Sequence, residues 1–240
     1  MEALLRIEEV VAGYGRGDIL NGIDLTLEAG TVTCLVGPNG AGKSTVLKTL
    51  SGLLRPRAGR ILLEGVDICR LSPAQVLARG VVHVTQDRSL FPLMTLWDNL
   101  LLGGHVLTDT ALVRRRAEGI AERFPLIAER RNERAGELSG GQQKLVEIAR
   151  ALMLEPRLIM LDEPTMGLDP KLRHQIFQLV SELNGEGRTV LLVEQNARAG
   201  LAIAHRGAVL DDGRVALTGS GPQLLDDPRV AELYLGGAPS

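Results

Sequence analysis

Residues 37–45 read Gly-Pro-Asn-Gly-Ala-Gly-Lys-Ser-Thr, so Gly37, Gly42, Lys43 and Ser44 stand in the spacing G-x-x-x-x-G-K-[ST]. Glycines here let backbone N–H groups close around phosphate oxygens that a Cβ would hold off. Pro38, Asn39, Gly40 and Ala41 complete the loop, and Thr45 follows in the first turn of a helix whose positive end faces the same anion. Lys43 can reach the outer phosphates of a nucleotide such as ATP, and the Ser44 hydroxyl suits Mg²⁺. Residues 158–163, Leu-Ile-Met-Leu-Asp-Glu, are an apolar run that ends in two carboxylates. Burying two anions at a strand end is costly unless a cation compensates them. Mg²⁺ on Asp162 supplies that charge and leaves Glu163 to orient and deprotonate a water. A third run, Val190 to Val193, stops at Glu194, Gln195 and Asn196. The carboxyl end of a parallel strand is where ligands sit in such sheets.

These groups need a scaffold, and the chain has one. Residues 4–10 and 23–28 mix apolar and polar positions, as strands with one wet face do. Residues 31–36 form a more apolar strand, followed by a helix over 43–53 with Val46, Leu47, Leu50 and Leu53 at helical spacing. Short strands are expected at 59–65 and 81–85. Residues 87–137 then carry helical patterns at Leu96 to Leu101 and Leu112 to Phe124, with Arg114, Arg115 and Arg116 on a solvated face. They read as an inserted helical subdomain. Helix 141–153, strand 158–161, helix 171–184, strand 189–193 and helix 197–204 follow, and Asp212-Gly213 marks a hairpin within 206–218. Alternating strand and helix predicts an α/β fold with a mainly parallel sheet.

Composition narrows the function. The formal charge is −2 across 240 residues, which gives no basic excess for nucleic acid. Only four cations are lysines, so each has a position worth explaining. Cys34 and Cys69 lack zinc or disulfide spacing and read as small packing residues of a reducing compartment. The N-terminus lacks the basic segment of a leader peptide, and no apolar run approaches the ~20 residues that span a bilayer. Membrane contact is therefore expected only through a partner.

Residues 138–142, Leu-Ser-Gly-Gly-Gln, open a helix: Ser139 can cap it, and Gly140, Gly141 and Gln142 follow. Taken with the phosphate loop and the Asp162-Glu163 strand, this signature resembles the ATP-binding cassette (ABC) ATPases over almost the whole chain. The resemblance implies a P-loop NTPase with an ABC-type nucleotide-binding domain spanning 1–240, an N-terminal antiparallel β subdomain and the inserted helical subdomain. It implies ATP and Mg²⁺, with Tyr14 stacking on adenine, Gln86 contacting the metal beside Ser44 and Asp162, and Asp169 in a loop that crosses to a second nucleotide domain. Gln195 falls where most of the family has a histidine on the γ-phosphate. The signature of one chain is expected to close over ATP on another, in an ATP-dependent homo- or heterodimer.

Glu194-Gln195-Asn196-Ala197, the stretch EPTMGLDP (163–170) and the terminal Tyr-Leu-Gly-Gly further resemble the smaller ATPase subunit of branched-chain amino acid importers. That implies permease subunits as partners, at the cytoplasmic face of a bacterial inner membrane. Phe91, Met94 and Trp97 are expected to line the groove that receives a permease helix. Many members of that subgroup carry Pro-Glu-Gly-Arg where this chain has Thr85-Gln86-Asp87-Arg88, so urea or amide import remains open. A soluble ABC ATPase of iron–sulfur cluster assembly is the alternative from another class. DNA-repair relatives would need a coiled-coil insertion or zinc cysteines, and neither is present.

Overall fold

The computed structural model describes residues 2–235. The chain runs β1 (Ala3–Ala12), β2 (Leu20–Glu28), β3 (Val32–Val36), α1 (Lys43–Leu50), β4 (Ala58–Leu63), β5 (Val66–Asp67), α2 (Pro73–Ala78) and β6 (Val81–Val84). Helices α3 (Leu96–Leu102), α4 (Thr110–Arg123) and α5 (Pro125–Glu129) follow, with a 3₁₀ turn at Ala135–Glu137. The remainder is α6 (Gly140–Leu152), β7 (Leu158–Asp162), α7 (Pro170–Gly185), β8 (Thr189–Glu194), α8 (Ala197–Ala202), β9 (Arg206–Asp211), β10 (Arg214–Ser220), α9 (Gly221–Leu225) and α10 (Pro228–Leu235).

Two sheets result. One is antiparallel, in the order β2-β1-β4-β5; the other runs β10-β9-β3-β8-β7-β6 and is parallel except for the β9–β10 hairpin. Strands β3, β7 and β8 are buried at every residue, which is why they read as continuous apolar runs. The two-residue period of a strand divides their side chains between two cores. Leu35, Leu158, Met160, Leu191 and Val193 face the antiparallel sheet and α1. Val36, Ile159, Leu161, Val190 and Leu192 face the helical layer. By the same parity Asp162 falls on the α1 side and Glu194 on the opposite side.

Three sequence expectations need correction. Helix α1 stops at Leu50 rather than 53: Gly52 has φ +74° and Leu53 is 58% exposed, so its helical spacing was coincidental. Helix α8 likewise ends at Ala202, short of 204. Arg116 does not lie on a solvated face; it donates to the Met153 carbonyl at 3.0 Å and pairs with Glu155. The expectation at Tyr-Leu-Gly-Gly falls partly on Gly236 and Gly237, which lie outside the described residues.

Candidate functional site

The loop between β3 and α1 turns sharply. Gly42, the residue before α1, has φ +104°, where a Cβ would also meet the Leu20 side chain at 2.9 Å. A Cβ on Gly37 would lie 2.2 Å from the Leu210 carbonyl oxygen. Within this loop Lys43 is almost fully buried, and its Nζ donates to the carbonyls of Gly37 (2.8 Å) and Pro38 (3.1 Å). The same Nζ lies 3.6 Å from Glu163 Oε1. Strand parity alone would send Glu163 toward the helical layer. Its left-handed φ of +46° breaks the alternation and brings the carboxylate back to the loop. That conformation costs a non-glycine residue roughly 1–2 kcal/mol, a strain typical of working sites.

Around this pair the predicted residues gather. The Ser44 hydroxyl donates to Asp162 Oδ1 at 3.3 Å, and Gln86 Nε2 donates to Glu163 Oε2 at 3.3 Å. Gln195 Nε2 donates to Asn39 Oδ1 at 3.4 Å, tying the end of β8 to the loop. Asn39, Gly40, Gly42, Lys43, Ser44, Thr45, Gln86, Glu163 and Gln195 line one open cleft of about 460 Å³. A larger cleft of about 660 Å³ between the sheets holds none of them, so chemistry rather than size marks the site.

Burial, reinforced by Glu163, holds the Asp162 carboxyl above the usual carboxylate range, against the Ser44 hydrogen bond and the charges of Lys43 and Lys48. A buried carboxylate of this kind is relieved by a cation. The ligand atoms these residues offer are all oxygens (the Ser44 hydroxyl, the Asp162 carboxylate and the side-chain carbonyl of Gln86), which fits Mg²⁺. Among the described residues no three His, Cys, Asp or Glu side chains cluster as a metal cage. The ion would therefore complete its shell with phosphate oxygens and water.

Other predicted residues lie outside the cleft. Tyr14 is about half exposed, with Lys48 Nζ 5.8 Å from its ring centre, and Arg57 donates to the neighbouring Gly15 carbonyl at 2.7 Å. Ser139 caps α6 in a reciprocal capping box with Gln142, leaving the N–H groups of Gly140 and Gly141 at the helix start. Asp169 Oδ1 caps α7 by accepting from the N–H groups of Lys171 and Leu172. Phe91 lines a groove of about 450 Å³ with His83, Ser89, Glu147 and Arg150. Met94 and Trp97, expected there too, do not line it; Trp97 packs in the helical layer beneath the Arg131 guanidinium. Among the described residues the His83 ring nitrogens have no partner in their buried position, and burial, then Lys48, pushes its pKa down to about 4.

Two arrangements escaped sequence reasoning. Lys144 of α6 donates to the carbonyls of Thr85 (2.9 Å) and Gln86 (3.3 Å) and pairs with Glu147 at 2.7 Å, while Glu147 Oε1 accepts from Ser89 N–H. The signature helix thus grips the loop that carries Gln86. Glu194, 2% exposed, accepts from the Thr165 hydroxyl at 2.8 Å. The only signals were the rarity of lysine and a charge closing an apolar strand.

A family model described as ABC transporter matches residues 20–166. The high-affinity branched-chain amino acid transport ATP-binding protein BraG of Pseudomonas aeruginosa is 38% identical, over 98% of this chain and 100% of its own length. The lipopolysaccharide export system ATP-binding protein LptB of Acidithiobacillus ferridurans is 36% identical, over 98% of each chain. A solved dimeric structure of a bacterial ABC transporter cassette, MJ0796, superposes with a TM-score of 0.79 at 29% identity, over 90% of this chain and 98% of that one.

Proposed function

The chain belongs to the ABC transporter family and is an ATPase of it, and from that premise we propose that it powers an importer of branched-chain amino acids. The observation that carries the reading is the convergence of Lys43, Ser44, Gln86, Glu163 and Gln195 at one cleft, with Asp162 bonded to the Ser44 hydroxyl. Lys43 exchanges its loop carbonyls for β- and γ-phosphate oxygens. Glu163, released from Lys43, accepts the proton of the attacking water, with Gln86 orienting its other oxygen. Gln195 donates to the γ-phosphate and, unlike a histidine, does not titrate near neutral pH. Mg²⁺, held by Ser44, Asp162 and Gln86, would neutralise charge on the phosphates. Tyr14, half exposed and outside the cleft, is the aromatic that the family resemblance assigns to stacking on the adenine.

The whole chain works as one nucleotide-binding domain, with 87–137 as its helical insert. The groove at Phe91, His83 and Ser89 takes a short helix of a permease subunit. Among the described residues no helix is long and apolar enough to cross a membrane. The substrate rests on the relationship to BraG, which is slightly stronger than that to LptB.

The test uses the chain reconstituted with its permease subunits in vesicles. Lys43→Ala abolishes ATP binding, whereas Glu163→Gln binds ATP but hydrolyses it ~10²–10⁴-fold more slowly. Wild-type vesicles accumulate leucine on addition of ATP. Near-normal turnover by Glu163→Gln overturns the site assignment, and ATP-driven extraction of lipopolysaccharide without leucine uptake overturns the substrate.

A further inference from the structure

Glu194 is a buried carboxylate that the proposed chemistry does not use. It ends β8 on the face opposite Asp162, next to Gln195, and among the described residues only Thr165 satisfies it: the hydroxyl at 2.8 Å, with the Thr165 backbone N–H also facing the carboxylate. Thr165 is itself 4% exposed and stands two residues beyond Glu163. The Glu163 N–H donates to the Val193 carbonyl at 2.9 Å, so this loop is stitched to β8 by backbone as well. Beyond Thr165, the Met166 N–H returns to the Glu163 carbonyl at 3.1 Å and the Leu168 N–H to the Thr165 carbonyl at 3.2 Å. Thr165 is therefore the anchor of a short, internally bonded loop whose first residue is the strained Glu163.

Burying a carboxylate costs more than a neutral residue would, so the position is an expensive way merely to fill space. The same parity that buries Glu194 in the helical layer sends its neighbour Gln195 to the phosphate side. One rigid joint thus fixes both the carboxylate that handles water and the amide aimed at the γ-phosphate.

We propose that Glu194 is a positioning residue of the ATPase site, holding Thr165 so that Glu163 and Gln195 keep the spacing that in-line attack on the γ-phosphate requires. The inference rests on the ATPase reading of the site and adds a residue that touches neither nucleotide nor metal. The groups around the carboxylate are Glu163 on the adjoining loop, Arg173 on α7 and the Cys34 thiol on β3. Cys34 is fully buried, and burial, then Glu194, holds its thiol un-ionised. Burial pushes Glu194 up to about 7, against the Thr165 hydrogen bonds and Arg173. A charged Glu194 grips the Thr165 hydroxyl more strongly than a neutral one.

The experiment measures ATP turnover of the chain with its permease subunits across pH 6–8.5. Thr165→Val and Glu194→Ala each lower kcat about tenfold with KM for ATP changed less than twofold, and the double variant is no slower than either single one. Thr165→Ser, which keeps the hydroxyl, restores kcat, and Thr165→Val flattens the limb of the pH profile near 7. Unchanged kcat in Thr165→Val overturns the proposal, as do losses that multiply in the double variant. If Glu194→Ala fails to fold, the Thr165→Val and Thr165→Ser pair decides alone. Glu163→Gln, run in parallel, separates the two readings: if it retains turnover, the ATPase site itself is misassigned.

Discussion

At the scale of single residues, charge buried at the strand ends beside the cleft costs stability. Glu194 makes the cost measurable. Its folded pKa is about 7 against an ordinary 4.5, so between those pH values the folded chain keeps a proton that the unfolded chain has released. Stability from this group is full below about pH 4.5, falls as pH rises and is gone above about 7, a loss of about 3 kcal/mol at most. Glu194→Gln accepts the same Thr165 hydrogen bond without a charge. It should match the parent in urea denaturation at about pH 4 and exceed it by up to about 3 kcal/mol at pH 8. An equal difference at both pH values would mean that Glu194 ionises as an exposed carboxylate does. Lys43, Asp162 and Glu163 were legible in the sequence because their motifs fix chemistry to spacing. The Glu194–Thr165 bond was not, since 29 residues separate its partners and neither sits in a spacing that announces the other.

At the scale of elements, the strands were read well wherever burial on both faces left an uninterrupted apolar run, as in β3, β7 and β8. Helix ends were read poorly where apolar spacing outlasted the helix, as at Leu53. Helix α2 went unread although Ser72, Pro73 and Gln75 spell a capping box with proline in the first turn, because six residues show too little periodicity. The grip of α6 on the Gln86 loop was invisible for another reason. Lys144 binds backbone carbonyls, and any residue can supply those. Lys144 and Glu147 are 8% and 2% exposed, so removing one partner strands the other's charge. Lys144→Met should cost about 3–5 kcal/mol in chemical denaturation, and adding Glu147→Gln should recover much of it. ATP turnover should fall in Lys144→Met through Gln86, whose carbonyl loses its donor. Unchanged stability would show that the pair is solvated rather than structural.

At the scale of the molecule, the proposed reading has one chain hold every part of the nucleotide site except a partner for its outer side. The signature residues Ser139, Gly140 and Gly141 lie outside the cleft, at the start of a 13-residue helix whose free N–H groups suit an anion. Gly141 packs so closely on Leu172 that a Cβ would come within 2.3 Å of its Cδ1, so this helix start is fixed against α7. On the proposed reading, a γ-phosphate held by Lys43 in one chain is met by Gly140 and Gly141 of a second chain; the MJ0796 cassette, 29% identical to this chain, was solved as a dimer. Pairing then depends on an uncleaved γ-phosphate. Glu163→Gln with Mg²⁺ and ATP should elute at twice the single-chain mass, alone or mixed with the second ATPase subunit of its transporter. With ADP, or when Gly140→Asp places a carboxylate against the phosphate, it should elute as one chain. Light scattering on the eluting peak reads the mass directly. A single-chain mass for Glu163→Gln carrying bound ATP, both alone and in the mixture, would mean that the signature serves some purpose other than closing a partner's site.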